Sequence, residues 1–411
     1  MHYPTARTGN RILKKILDEG GMALTKNQQK SQQAETPAGA IKVPPVRVVF
    51  EEEDRKRILK EIDEVLASGM LAADKKVRAF EEFWADYSGT KHAIACSSGG
   101  AALEIMLKAM NIDGKDVLVP TNTFIATVTA IIFAGGNPVF LDMDPSSMGV
   151  SLAEIQKKRT PNTVGVVPVH IGGIISKEMT AIDQWCRQEG LWLVEDAAHA
   201  HGSELDGRRA GDFGIGAAYS FFATKVITSA EGGMISTNDD GLAQLAQSLR
   251  DYGRRTPSET VHTHLSSHYR MNDITAVIGL DQARRLDEFI AHREYVAQQY
   301  TKAFEEMYEL VLPPDRSSWY KFILIAPKGV NQEEVRKELK NRGVSLAGGV
   351  YDLPIHMQPV FLEKGNMPHL PVSEDYCPRH LCPPIFYGMS DKQINHVTSN
   401  VIDVIEGLRP T

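Results

Sequence analysis

Two segments about thirty residues apart in this 411-residue chain each end in a residue that can do chemistry. The apolar run Leu191-Trp192-Leu193-Val194 leads into Glu195-Asp196, followed by Ala197-Ala198-His199. A parallel strand buried on both faces reads as such a run, and the carboxylate then stands at its C-terminal edge. The second segment, Ser220-Phe221-Phe222-Ala223-Thr224-Lys225, is short and strand-like and delivers one lysine among small and hydroxyl residues, ahead of Glu231-Gly232-Gly233-Met234. An acid and a lysine on neighbouring strand ends are what pyridoxal 5'-phosphate requires. The lysine holds the aldehyde as a Schiff base, and the acid keeps the pyridine nitrogen protonated so that the ring can draw off electrons from a substrate carbon. Lys225 and Asp196 are therefore the candidate catalytic pair. Desolvation would lower the proton affinity of Lys225 and make it nucleophilic. Once freed, its amine can carry a proton between two carbons, as base and then as acid. The competing assignment makes Asp196 a helix cap and Lys225 a solvated surface group.

The elements around this pair alternate. Helices are expected from Glu51 through Leu66 and from Val77 through Trp84, where apolar residues fall at helical spacing. Strands are expected at His92–Cys96, Asp116–Pro120, Pro138–Leu141 and Gly165–His170, with helices at Gly100–Met110, Ile125–Phe133 and around Trp185. This alternation predicts an α/β fold: a doubly wound, mostly parallel sheet covered on both faces. After Asp273 a long helical stretch leads to a smaller α+β region with a strand at Lys321–Ile325 and helices at Glu333–Asn341 and Asp391–Ile405. The expected division is an extension over 1–44, a large domain over 45–290 and a small C-terminal domain over 291–411. Within the extension, Asn10–Glu19 has the pattern of a short amphipathic helix, and Thr25–Ala40 is polar and without period, which reads as a flexible segment.

Composition narrows the class. Hydrophobic content of 42% and charged content of 24% are ordinary for a globular protein, and a formal charge of −7 gives a nucleic-acid role no electrostatic support. Cys96, Cys186, Cys377 and Cys382 are scattered and form no metal knuckle or redox pair, so free thiols in a reducing cytoplasm are expected and no metal is. No apolar run is long enough to span a bilayer, and no signal-peptide core stands at the N-terminus.

From about Ile41 to the end, the chain resembles the DegT/DnrJ/EryC1/StrS aminotransferases, sugar aminotransferases of the fold type I class of pyridoxal-phosphate enzymes. The resemblance rests on motifs in one order: Ser97-Ser98-Gly99-Gly100-Ala101-Ala102-Leu103, Val119-Pro120-Thr121-Asn122-Thr123-Phe124, Pro168-Val169-His170, Glu195 to His199, Ser220 to Lys225, Glu231 to Met234, His268-Tyr269-Arg270-Met271-Asn272-Asp273 and Pro354-Ile355-His356. It implies that backbone groups at Ser98, Gly99, Gly100 and Ala101 bind the cofactor phosphate at a helix start. Ser220 would add a hydroxyl, and Phe124 would stack on the ring. His199, where the family commonly has glutamine, would donate to the phenolic oxygen. His268 stands where the family usually has an asparagine that reaches the neighbouring subunit's phosphate. Arg270 would place an anionic group or brace that interface, and His356 would face substrate at the active-site mouth. Two further departures are Gly100, usually threonine, and the loop Leu71-Ala72-Ala73-Asp74-Lys75, which lacks the family's glycine.

The resemblance further implies a homodimer with shared active sites, a keto-sugar nucleotide as acceptor and L-glutamate as donor. Three rivals stand beside it: a sugar dehydratase, which would have histidine in place of Lys225; a transaminase of a cyclitol-type ketone; and a non-catalytic, regulatory homologue.

Overall fold

The computed structural model describes residues 41–409 apart from 73, 257, 258, 364 and 366, so the expected Asn10–Glu19 helix lies outside the described residues. Its central sheet is built from β1 (His92–Cys96), β2 (Asp116–Pro120), β3 (Asn137–Leu141), β4 (Thr163–Val166) and β5 (Trp192–Asp196). A separate small hairpin follows, β6 (Glu204–Leu205) and β7 (Arg208–Arg209), and then β8 (Gly216–Ser220) and β9 (Gly233–Thr237) return to the sheet. The order across the sheet is β1-β9-β8-β5-β4-β2-β3. β9 runs antiparallel to both neighbours, and β8, β5, β4, β2 and β3 are parallel.

The central residues of β2 and β5 are apolar on both faces because both faces of the sheet are covered, as the period of two makes visible. Leu118, Leu193 and Ala217 join one buried cluster, with Val77, Phe80 and Trp84 of the helix Lys75–Ser88. Their sequence neighbours Val119, Val194 and Ala218 join another, with Ile105 and Met106 of the helix Gly99–Ala109 and Val128 of the helix Ile125–Phe133. Each fully buried aliphatic side chain of this kind contributes about 1.5–3 kcal/mol.

Beyond the sheet, helices Asp273–Ala283 and Leu286–Phe304 lead to a three-stranded antiparallel sheet of β10 (Glu309–Val311), β11 (Ile323–Ile325) and β12 (His380–Leu381), with helices Gln332–Asn341 and Asp391–Gly407. Three expectations change here. The long helix after Asp273 is two, parted at Arg284-Arg285, where the Arg285 guanidinium ion-pairs with Asp54 and Glu288. The strand expected at Gly165–His170 stops at Val166, because Pro168 has no N–H for the ladder; its carbonyl still accepts from the Asp196 amide at 2.9 Å. Lys321 stays outside β11, its amide bonded instead to the Gly172 carbonyl at 3.1 Å.

Candidate active site

Alternation along β5 sends its two terminal acids to opposite faces. Glu195, fully buried, is fixed by His170 Nε2 and by the amides of Gly211 and Phe213, each at 2.8 Å. Burial pushes its pKa up, and these contacts oppose the rise. Asp196 accepts the Thr127 hydroxyl at 2.7 Å and the Ala198 amide at 3.1 Å. With its proton committed to Asp196, Thr127 accepts in turn from Thr123 at 2.7 Å, giving a polarised chain of buried hydroxyls behind the carboxylate. Burial raises the Asp196 pKa as well, against the pull of Thr127, the Ala198 amide and the charge of Lys225.

Lys225 is not on a strand. β8 ends at Ser220, and the chain turns so that the Lys225 amide bonds the Phe222 carbonyl at 3.0 Å. Its Nζ lies 4.8 Å from the centroid of the Tyr320 ring. Burial lowers its pKa to about 8; the Asp196 charge resists that fall and Lys321 adds to it. Both groups open on one cavity of about 410 Å³.

The far end of this cavity is a helix start. Ser98 caps the helix Gly99–Ala109, its Oγ accepting from the Ala101 amide at 3.1 Å, while the Ala102 amide bonds the Ser98 carbonyl. First-turn amides have no intrahelical partner, so those of Gly99 and Gly100 are left for an anion in the cavity they line. Glycine is required at 99: a Cβ there would stand 2.8 Å from the Cβ of Ser220 and push the helix start away from the end of β8. Phe124 is 56% exposed and lines the same cavity. His199 is buried and stacks on Tyr320 at 4.3 Å between centroids. Burial and the nearby Lys225 charge hold its pKa well below the usual histidine value. The Gly172 amide donates to Nδ1 at 3.4 Å, which assigns the proton of this neutral ring to Nε2, facing the Tyr351 hydroxyl at 3.3 Å.

The cavity thus brings together Ser98, Gly99, Gly100, Phe124, Asp196, His199, Ser220 and Lys225. Ala101 and His268 line a neighbouring recess beside Ser98 and Gly100, and His268 is exposed. The Arg270 guanidinium is engaged by Asp251 and lies 5.8 Å from the Tyr252 ring centroid. His356 is buried behind the cavity wall, with Nδ1 2.6 Å from Thr121 Oγ1 and Nε2 3.2 Å from Glu374. The sequence reading did not single out Thr127, Tyr320 or Tyr351. A hydroxyl one helical turn beyond Phe124 was a usable signal for Thr127; the two tyrosines arrive from distant segments, Trp319-Tyr320 and Val350-Tyr351, and had none.

Pyridoxal phosphate fits this cavity on three counts. A buried carboxylate has hydroxyl and amide partners but, among the described residues, no cation in bonding distance; a depressed lysine can accept an aldehyde, and two helix-start amides await a phosphate. The aminotransferase TlmJ of Streptoalloteichus hindustanus has the same fold: TM-score 0.81 at 28% identity, covering 90% of this chain and 100% of that one. Fold and site define a pyridoxal-phosphate-dependent aminotransferase of fold type I. More narrowly, the profile of the DegT/DnrJ/EryC1/StrS aminotransferase family matches residues 52–402, and the chain belongs to that family. Relatives include the spore coat polysaccharide biosynthesis protein SpsC of Bacillus subtilis, 33% identical over 86% of this chain and 95% of that one. The GDP-perosamine synthase of Caulobacter vibrioides is 33% identical over 79% and 89% of the two chains.

Proposed function

We propose that this aminotransferase moves an amino group from L-glutamate to the keto group of a nucleotide-linked deoxysugar, working in the cytoplasm as a homodimer with shared active sites. The observation that carries the reading is the burial of Lys225 and Asp196 on one cavity with proton affinities displaced in opposite directions. The similarity to a GDP-perosamine synthase supports a nucleotide-linked sugar as acceptor. Exposed Leu66, Met70, Leu71 and Phe133 offer apolar surface for a second copy.

Bound pyridoxal phosphate supplies an aldehyde and an electron-accepting ring. Lys225 would hold it through Nζ; with the donor amine in that place, the freed Nζ would be positioned to take the proton from the donor's alpha carbon and deliver it to the former aldehyde carbon on the other side of the donor nitrogen. A proton affinity near 8 leaves the amine able to do both at neutral pH. Asp196, backed by Thr127 and Thr123, keeps a cation at the ring nitrogen. Gly99, Gly100, Ser98 and Ser220 would hold the phosphate, Phe124 would cover a ring face, and His199 would give the phenolic oxygen the Nε2 proton that otherwise faces the Tyr351 hydroxyl. His268 of one subunit serves the phosphate of the other. Arg270, held by Asp251, braces that interface, and His356 steadies the Thr121–Phe124 turn.

The test is direct. Purified protein with the cofactor should be yellow and bleach with borohydride. Given glutamate and a panel of 4-keto and 3-keto sugar nucleotides, it should yield 2-oxoglutarate and an amino sugar detectable by mass. Lys225→Ala should lose the covalent link and turnover. A wild-type protein that takes up no cofactor, or one that aminates cyclic ketones and no sugar nucleotide, would defeat the reading.

A further inference from the structure

A second cavity of about 290 Å³ adjoins the first, sharing Thr224, Tyr320 and Tyr351 with it, and Lys321 and Arg293 stand in its wall. Lys321 Nζ lies 4.8 Å from the Tyr320 ring centroid, the same reach as Lys225 Nζ, so one tyrosine ring bridges the two amines. Arg293 is 3% exposed. Its guanidinium gives one nitrogen to the carbonyls of Trp319 and Ile385, at 3.0 and 2.9 Å, while its Nε has no partner among the described residues. No carboxylate among the described residues pairs with either cation. Two enclosed cations without a counter-charge are costly unless an anion joins them.

The loop that carries Lys321 is rigidly placed. Ser318 Oγ bonds the His199 carbonyl at 2.5 Å, the Ser318 amide bonds Ser203 Oγ at 2.9 Å, and the Lys321 amide bonds Gly172. Trp319 is held in the left-handed region at φ 49°, a conformation that a bulky residue keeps only when its surroundings impose it. The side chain of Lys321 thus projects from a fixed base one residue beyond Tyr320.

We propose that Lys321, with Arg293 behind it, binds the distal carboxylate of the amino donor and so selects a dicarboxylic amino acid. The donor's reacting nitrogen must come to the place of Lys225 Nζ. A side-chain carboxylate a few bonds away can then pass the edge of Tyr320 into the adjoining cavity. Burial lowers the Lys321 pKa, as expected of a cation lacking its partner. The proposal rests on the aminotransferase reading of the neighbouring site, but not on the identity of the acceptor.

The experiment uses the holoenzyme and two unreactive probes, glutarate and butyrate, titrated by calorimetry and by the visible band of the cofactor. Wild type should bind glutarate at least about tenfold more tightly than butyrate, the usual reach of a charge-assisted contact. Lys321→Met should lose most of that preference, with Arg293 left to hold the remainder, and Lys321→Arg should keep more of it than the methionine variant. Cofactor content should be unchanged in both, and Lys321→Gln replaces the methionine variant if that one loses cofactor. A Lys321→Met enzyme that prefers glutarate as strongly as wild type overturns the proposal. So does one that loses affinity for a sugar nucleotide while its glutarate binding stays intact. An enzyme that shows the glutarate preference yet aminates no sugar nucleotide removes the proposed acceptor and leaves the subsite standing.

Discussion

The proton affinity of Lys225 can be measured in the cofactor-free protein, without any turnover. With a pKa near 8 in place of 10.5, about one Lys225 in ten is neutral at pH 7, against about three in ten thousand for an ordinary lysine. Lys225 should therefore react faster than surface lysines with a small acylating reagent at that pH, with roughly two to three hundredfold as the ceiling because a less basic amine is also a weaker nucleophile. The rate, read by mass spectrometry of the Lys225 peptide, should show a midpoint near 8. In Asp196→Asn the midpoint should fall further, because the Asp196 charge is what opposes the effect of burial. The same shift has a sign in stability. A lysine whose folded proton affinity is below its unfolded one adds stability above the unfolded value, and loses it as pH falls through the folded value. The window runs from 10.5 down to about 8, and the displacement is worth at most about 3 kcal/mol. Lys225→Met apoprotein should thus resist urea better than wild type at pH 7, by about 1–3 kcal/mol because Asp196 loses an attracting charge in exchange. The advantage should vanish by pH 10.5. A wild-type midpoint at the ordinary lysine value, or a methionine variant less stable at pH 7, would refute the reasoning.

Three further substitutions probe the support of the site. Thr127→Val removes the hydroxyl at 2.7 Å from Asp196 and should cost the apoprotein about 1–3 kcal/mol in urea unfolding, along with weaker cofactor retention. Glu195→Gln sets an amide where two backbone N–H groups and His170 now meet a carboxylate; a loss of about 3–5 kcal/mol is expected, and an unchanged melting curve would show that Glu195 is not the brace it looks. Gly99→Ala brings a methyl to 2.8 Å from Ser220 Cβ, so a loss of about 1–3 kcal/mol should come with cofactor affinity reduced more than tenfold, measured by absorbance titration.

What the sequence could disclose follows from how local each signal is. A buried parallel strand announces itself in four or five consecutive apolar residues, so β2 and β5 were legible almost to the residue, and with β5 came Asp196. A helix cap is equally local, which is why Ser98 and the glycines after it could be placed at the start of the helix Gly99–Ala109. Lys225 was legible in kind but not in position. The run Ser220 to Lys225 has strand composition, yet the ladder stops at Ser220, where the Phe221 amide finds the Gly232 carbonyl and the chain can turn. The turn matters, because a lysine on the strand would have pointed to one sheet face, whereas the loop swings it over Tyr320. Tyr320, Tyr351 and Lys321 had no local signature at all; they meet the cofactor cavity and its neighbour only because separate segments after β10 return to the edge of the large sheet. His356 shows the converse. A histidine after a proline in a familiar motif suggested a substrate contact, but Thr121 and Glu374 occupy both of its ring nitrogens. A residue type and its spacing can thus announce the capacity for a reaction, while the hydrogen bonds that side chain already makes decide which of its atoms remain to perform it.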